Sequence, residues 1–243
     1  MGLTTQSTVL DQDFNQTSST QQGPLGNDAQ TTDGRRFRYG LSGAVALATG
    51  KMNDGPTVVA NHVNITGGTA AAVGATSVTV TLGATAATAN QYAGGYIWSN
   101  STSTGLGPTY RIRSHNAIAS AGTGVFNLDD PIQIAWTTTT KVSLFANSYS
   151  GAVITPSAAT PGGMAIGVAQ TPIAITTYGW FQVGGPSALL CAATVYTLGE
   201  EVSQGVSLTA GAGSLKVATH PGYGDALQLG VSGEYQLVNL RLN

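Results

Sequence analysis

Residues 109–145 read TYRIRSHNAIASAGTGVFNLDDPIQIAWTTTTKVSLF, and the punctuation of this stretch decides the fold class. Thr109–Arg113, Val125–Leu128, Ile132–Trp136 and Lys141–Phe145 are short runs rich in β-branched, aromatic and alternating residues. Between them stand Asn116, Ser120, Gly122, Asp129 and Pro131, which break strands and favour turns. Strand candidates broken this regularly, every eight to twelve residues or so, read as an all-β sandwich or barrel. Moving towards the N-terminus, the same texture recurs at Ser77–Leu82 and Gly95–Ser99, with alternation in Val58–Ile65 and in Arg36-Phe-Arg-Tyr39. In the other direction it recurs at Ala165–Ala169, Thr177–Val183, Ala188–Ala193, Gly205–Leu208 and Leu215–Ala218, and Tyr235–Leu242 reads as a closing strand. The density of Gly and β-branched residues leaves little room for helix, beyond one short turn in the Ala-rich 84–89.

Three textures divide the chain. Residues 1–34 are rich in Gln, Thr, Ser, Asn and Asp, and no period of 2 or 3.6 is sustained there. They are expected to form an extended docking arm whose isolated apolar points, Leu3, Val9, Leu10, Phe14 and Leu25, anchor in a partner. Residues 35–155 are expected to form a first β domain and residues 164–243 a C-terminal one. Residues 155–163, with two prolines and a Gly pair, read as a stiff connector. The expected fold class is therefore all-β: an extended N-terminal arm followed by two small β-sandwich or barrel domains.

Composition narrows the function. Asp, Glu, Lys and Arg make up only 8% of the 243 residues, against roughly 25% in an average soluble domain. A surface covered by Thr, Ser, Asn, Gln, Gly and Ala lies against a protein partner with few ions to strip of water. The same surface serves a free monomer poorly, because solubility normally leans on net charge. The net charge of −2 offers no field to hold nucleic acid. The apolar run 44–48 is too short to cross a bilayer. Met1–Gln16 shows neither a basic nor an apolar segment of a signal peptide, so synthesis in the cytoplasm is expected.

No catalytic, metal-binding or cofactor-binding constellation stands out. The nearest approach to a nucleophile elbow, Gly184-Gly-Pro-Ser-Ala188, has Pro and Ala where the motif needs other geometry. His62, His115 and His220 belong to no defensible triad, and a structural role is favoured for each. Asp11-x-Asp13-x-Asn15 begins like a calcium loop but lacks the later Gly and Glu. Asp129 and Asp130 sit side by side in a turn, where capping of backbone N–H groups is favoured over acid–base work. The single cysteine, Cys191, has apolar neighbours and reads as a small buried hydrophobe. The chain is thus expected not to be an enzyme and to need no cofactor.

Two features point to partners. Arg35, Arg36 and Arg38 form a basic cluster, for which carboxylates of a neighbouring subunit are favoured over a solvated face and over phosphates. Tyr96 with Trp98, and Tyr178 with Trp180, share strand faces at i, i+2. Core packing is favoured for them over stacking on a sugar.

A family likeness adds to this. The segments Gln91-Tyr-Ala-Gly-Gly-Tyr-Ile-Trp98, Gly105-Leu-Gly-Pro-Thr-Tyr-Arg-Ile-Arg-Ser-His115, Leu128-Asp-Asp-Pro-Ile132 and Lys141-Val-Ser-Leu-Phe-Ala-Asn-Ser-Tyr149 resemble a module of tailed-bacteriophage virion proteins. Gly167-Val-Ala-Gln170 and Tyr178-Gly-Trp-Phe-Gln-Val183, with the Gly-rich strands after them, resemble small β-rich head decoration (cement) proteins. The likeness extends loosely over residues 33–243. It implies a structural virion protein on the outer surface of the capsid that clamps neighbouring subunits of the major capsid protein. Such proteins often assemble as homo-oligomers, with a trimer favoured. The other reading is a tail or fibre component with a receptor- or glycan-binding role.

Overall fold

A computed structural model describes residues 7–8, 13–66, 69–157, 162–192, 195–204, 209–218 and 220–242. In chain order the strands begin with β1 (Ser7–Thr8), β2 (Asp28–Gln30), β3 (Arg36–Ser42) and β4 (Met52–Asp54). Then come β5 (Ile65–Thr66), β6 (Ser77–Thr81), β7 (Tyr96–Ser99), β8 (Thr109–His115), β9 (Thr123–Leu128) and β10 (Lys141–Phe145). The last set is β11 (Ser150–Ile154), β12 (Ala165–Ala169), β13 (Tyr178–Leu190), β14 (Glu201–Gln204), β15 (Gly213–Leu215), β16 (Gly222–Ala226) and β17 (Tyr235–Arg241). Helix is confined to single 3-10 turns at Asp13–Asn15 and Ala60–His62 among the described residues. The chain is all-β, as its punctuation predicts.

The division into units differs from the expected boundaries. One compact unit, Thr57–Asn147, is inserted into another made of Met1–Pro56 and Ser148–Asn243. The reason is strand pairing at long range. β3 pairs antiparallel with β13, and β4 lies between β11 and β12. A domain running from 35 to 155 would separate β3 and β4 from the strands that satisfy their backbone groups. The Pro/Gly connector also belongs within the outer unit, where the Thr155 hydroxyl and the Gly163 N–H both donate to the carboxylate of buried Asp54. Residues 158–161 of the connector lie outside the described residues.

The inserted unit is a six-stranded sheet in the order β5-β10-β7-β8-β9-β6. Its core is Val78, Val80, Tyr92, Ile97, Tyr110, Ile112, Phe126, Leu128, Val142 and Leu144 with their neighbours. The strand period explains this set: in β8 the burial alternates, so Tyr110 and Ile112 face inward while Arg111 and Arg113 face out. The outer unit carries the sheet β1-β2-β3-β11-β4-β12-β13-β17-β16-β14-β15. β13 is continuous through Gly184-Gly-Pro186, where the sequence suggests a break. Gly185 adopts φ +83° and the register with β3 shifts between Gln182 and Gly184. Beyond Gly184 only β17 pairs with β13, so the missing N–H of Pro186 falls where the strand has a free side.

One local device recurs in both units. A buried residue bridges a second buried residue elsewhere in the chain, and three residues after each bridge the backbone usually turns left-handed. Leu47 and Ile173 exchange both backbone hydrogen bonds, as do Ala71 with Trp136 and Ala87 with Ile118. The residues three positions on, Gly50, Thr176, Gly74, Asn90 and Ala121, all have φ between 51° and 89°. Their N–H groups reach back across the pair, as in Gly50 to Ala169 O, Thr176 to Gly43 O and Ala121 to Gly83 O. Tyr196 and Gly230 form a related pair, with Gly199 and Gly233 at the left-handed positions. These clasps hold the loops together without regular strand. They explain why 84–89 forms no helical turn and why 132–136 forms no strand: each spends its backbone groups on a clasp.

Candidate functional site

The residues expected to reach a partner are largely engaged within the chain. Leu3, Val9 and Leu10 lie outside the described residues. Phe14 is buried and stacks on Phe37, with ring centroids 4.8 Å apart and planes at 12°. Leu25 packs half-buried against the core around Tyr149 and Phe181. Residues 13–34, expected to reach out as a docking arm, lie along their own sheet, with β2 paired to β3 and Ser18 bridged to Tyr178.

The arginines follow the same correction. Arg35 pairs with Asp33 at 2.7 Å, and its guanidinium lies 4.8 Å from the ring centre of Phe14. Arg36 and Arg38 both face Asp28, at 3.9 and 3.6 Å, and Arg38 donates to Gly26 O at 3.0 Å. Each of these guanidiniums meets a carboxylate, a ring face or a carbonyl of its own unit, while the Arg36 side chain stays 41% exposed and Arg38 Nε makes no hydrogen bond among the described residues.

The other titratable groups are structural in their contacts. His62 and His115 are buried beside Tyr92. His62 Nδ1 is bonded to the Tyr92 hydroxyl and its Nε2 to Thr85 O at 2.8 Å, while His115 Nε2 accepts the Tyr92 N–H at 3.0 Å. Burial pushes the Tyr92 phenol up to about 12 and lowers the His115 pKa. Burial likewise raises Asp54. Instead of capping a turn, Asp129 faces Arg113 at 3.1 Å and Arg111 at 3.7 Å. Cys191 is buried, and burial raises its thiol. Among the described residues no cluster of His, Cys, Asp and Glu has the makings of a metal site.

Among the described residues, two surfaces combine features that suit a partner. The first is the outer face of β13, β17 and the segment after β16. Ala188 is opposite Leu237, and Leu227 donates its N–H to Leu237 O, so Leu227, Leu237 and Ala188 form one row across β13, β17 and the segment after β16. Leu227 is 41% exposed and Leu237 39%, and Tyr235 and Leu229 nearby are more exposed still. The next row along is polar: Asp225 is opposite Asn239, Asn239 opposite Pro186, and Arg241 closes on Asp225 at 2.7 Å. An antiparallel sheet with one face on the core normally carries polar residues on the other. The signal was present in the sequence, because Tyr235 and Leu237 occupy one register of this strand while Val238, Leu240 and Leu242 occupy the other, and only one register can face the core.

The second surface is a cleft of about 520 Å³ lined by Gln16, Thr17, Ser18, Gln22, Gly23, Asn27, Tyr39, Tyr178 and Trp180. β3 and β13 supply the aromatics, with Trp180 directly opposite Tyr39. Tyr39 lies parallel to Tyr178 at 5.8 Å and edge-on to Trp180 at 5.2 Å. Tyr178 and Trp180, expected in the core, are only half-buried and form the wall of this cleft. In the inserted unit Tyr96 is exposed and Trp98 half-buried, while Tyr92 takes the core position.

No family model matches the chain, and no curated protein or solved structure proves similar to it.

Proposed function

We propose that the protein is a structural virion component that attaches to the outer surface of a tailed-phage capsid. There it clamps neighbouring subunits of the major capsid protein, acting as a homo-oligomer with a trimer favoured. The row Leu227–Leu237–Ala188 carries this reading. It is an apolar strip on an otherwise solvent-facing sheet face, bordered by the Arg241–Asp225 pair. An apolar centre with a polar rim is the anatomy of a protein–protein interface.

The charge-poor composition supports the same reading, because attachment then rests on close neutral contacts that salt screens little. Several weak contacts made by one oligomer also dissociate only together. The resemblance of segments within residues 91–149 to a module of tailed-phage virion proteins, and of segments within 167–183 to head decoration proteins, supports the same reading.

The test is attachment of purified variants to particles that lack the protein. Leu227→Glu with Leu237→Glu places two charges in the strip and should reduce occupancy at least about tenfold. Arg35→Ala with Arg38→Ala, whose partners lie within the chain, should leave occupancy near wild type. The opposite ranking would refute the assignment of this face.

A further inference from the structure

We infer that the cleft between the N-terminal segment and β3/β13 is a binding site for a neutral saccharide. This goes beyond attachment to a shell and does not depend on it, since every group involved belongs to the outer unit alone.

The lining decides the ligand class. Among the described residues it contains three aromatic rings, three side-chain amides (Gln16, Gln22 and Asn27), two hydroxyl residues (Thr17 and Ser18) and no Asp, Glu, Lys, Arg or His. A phosphate, carboxylate or ammonium group would lose hydration there and find no counter-charge. A wholly apolar ligand would cover the amides and hydroxyls without replacing their bonds to water. A sugar ring meets both demands. Its C–H face lies on an aromatic ring, and its hydroxyls both donate and accept, which matches amides and hydroxyls.

The state of the polar groups adds a second observation. The Trp180 indole N–H, the Tyr178 hydroxyl, the Asn27 amide and the Thr17 hydroxyl make no hydrogen bond among the described residues, and all four residues line the cleft. By contrast, the frame around them is fixed. Tyr39 is buried and its hydroxyl accepts the Gln22 N–H at 3.0 Å, while the Gln22 amide is held by Thr20 Oγ1 at 2.9 Å. Ser18 N–H and Tyr178 N–H each bond the other's carbonyl, at 3.0 and 2.8 Å. Rings held by a β-ladder and a pinned loop form a wall that need not be ordered on binding. The volume suits a ligand of one to a few sugar rings, within the range of roughly 300–1,000 Å³ typical of small-molecule sites.

The experiment uses the full chain, free of particles. Maltotriose, cellotriose, lactose and N,N′-diacetylchitobiose are titrated in turn, followed by saturation-transfer difference NMR and tryptophan fluorescence. At least one should bind with a Kd near about 1 mM or tighter, and its ring protons should receive saturation. Trp180→Ala should weaken that binding at least about tenfold, whereas Tyr96→Ala, at an exposed aromatic of the other unit, should leave it unchanged. Asn27→Ala keeps the aromatic packing intact and should also weaken it several-fold, so the inference stays testable if Trp180→Ala does not fold. It is overturned if none of the four sugars binds, or if Asn27→Ala and every folded Trp180 variant bind as wild type does. A Trp180 variant that loses the sugar yet still occupies particles separates this site from the capsid-binding face.

Discussion

Phe14 lies flat on Phe37, and the guanidinium of Arg35 sits beside the pair, 4.8 Å from the centre of the Phe14 ring and 5.8 Å from that of Phe37. The contact fastens the N-terminal segment to the first long strand of its own unit. Phe14→Ala removes a buried ring from this stack and should cost about 3–5 kcal/mol. Limited proteolysis of the free protein should spare residues 13–34 in the wild type and cut there in the variant. Rapid wild-type cleavage in that segment would show that the stack does not hold it.

The His62–Tyr92–His115 cluster sets a pH limit on the inserted unit. His115 accepts the Tyr92 N–H at Nε2, so its Nδ1–H donates to Asn116 O at 2.8 Å. A second proton would face a donor, and burial opposes the charge, with His62 nearby adding to the effect. The folded-state pKa lies below the unfolded value of about 6.5. Unfolded chains therefore bind the proton first, and stability falls as pH drops below about 6.5, with a limiting slope near 1.4 kcal/mol per pH unit. Asp54, raised by burial, acts in the opposite sense at lower pH. Urea melts at several pH values should show a decline in stability between about pH 7 and 5 that His115→Gln reduces. An identical decline in the variant would place its origin elsewhere.

The clasps carry identifiable backbone strain. Thr176 sits at φ 51°, a left-handed conformation that costs an L-residue roughly 1–2 kcal/mol and a β-branched one more than most. Thr176→Gly should raise stability by about 0.5–1 kcal/mol after the extra entropy of glycine in the unfolded chain. Gly50→Thr, at the equivalent position of the partner turn and at φ +68°, should lower it. Thermal melts of the two variants check this, and equal shifts in one direction would contradict the pairing of the turns.

Strands whose identity rests on local pattern were legible in the sequence. Lys141–Phe145 and Ala165–Ala169 form strands over those residues, and Tyr235–Arg241 falls one residue short of the expected Tyr235–Leu242. What escaped was decided at a distance. β4 is three residues, Met-Asn-Asp, with no alternation, and becomes a strand because β11 and β12 flank it. The insertion of 57–147 has no composition signal because the pairing of β3 with β13 spans it. Phe14 and Leu25 look like free anchors in a polar segment, and only the fold brings Phe37 and the Tyr149–Phe181 core to them. Tyr178 and Trp180 show their shared face by spacing. Their position at a cleft depends on residues 16–27 folding back beside them.

The most direct test of the central claim is heat challenge of particles with and without the protein, scored by DNA release. A protein that clamps neighbouring capsid subunits should shift release to higher temperature, and adding purified protein back to deficient particles should restore the shift. Contacts made by so charge-poor a surface would be mostly neutral, so restoration should persist at about 1 M salt, where the screening length is only about 3 Å. If both kinds of particle release DNA at the same temperature, and adsorption to host cells falls without the protein, the capsid account is contradicted and a receptor-binding role takes its place.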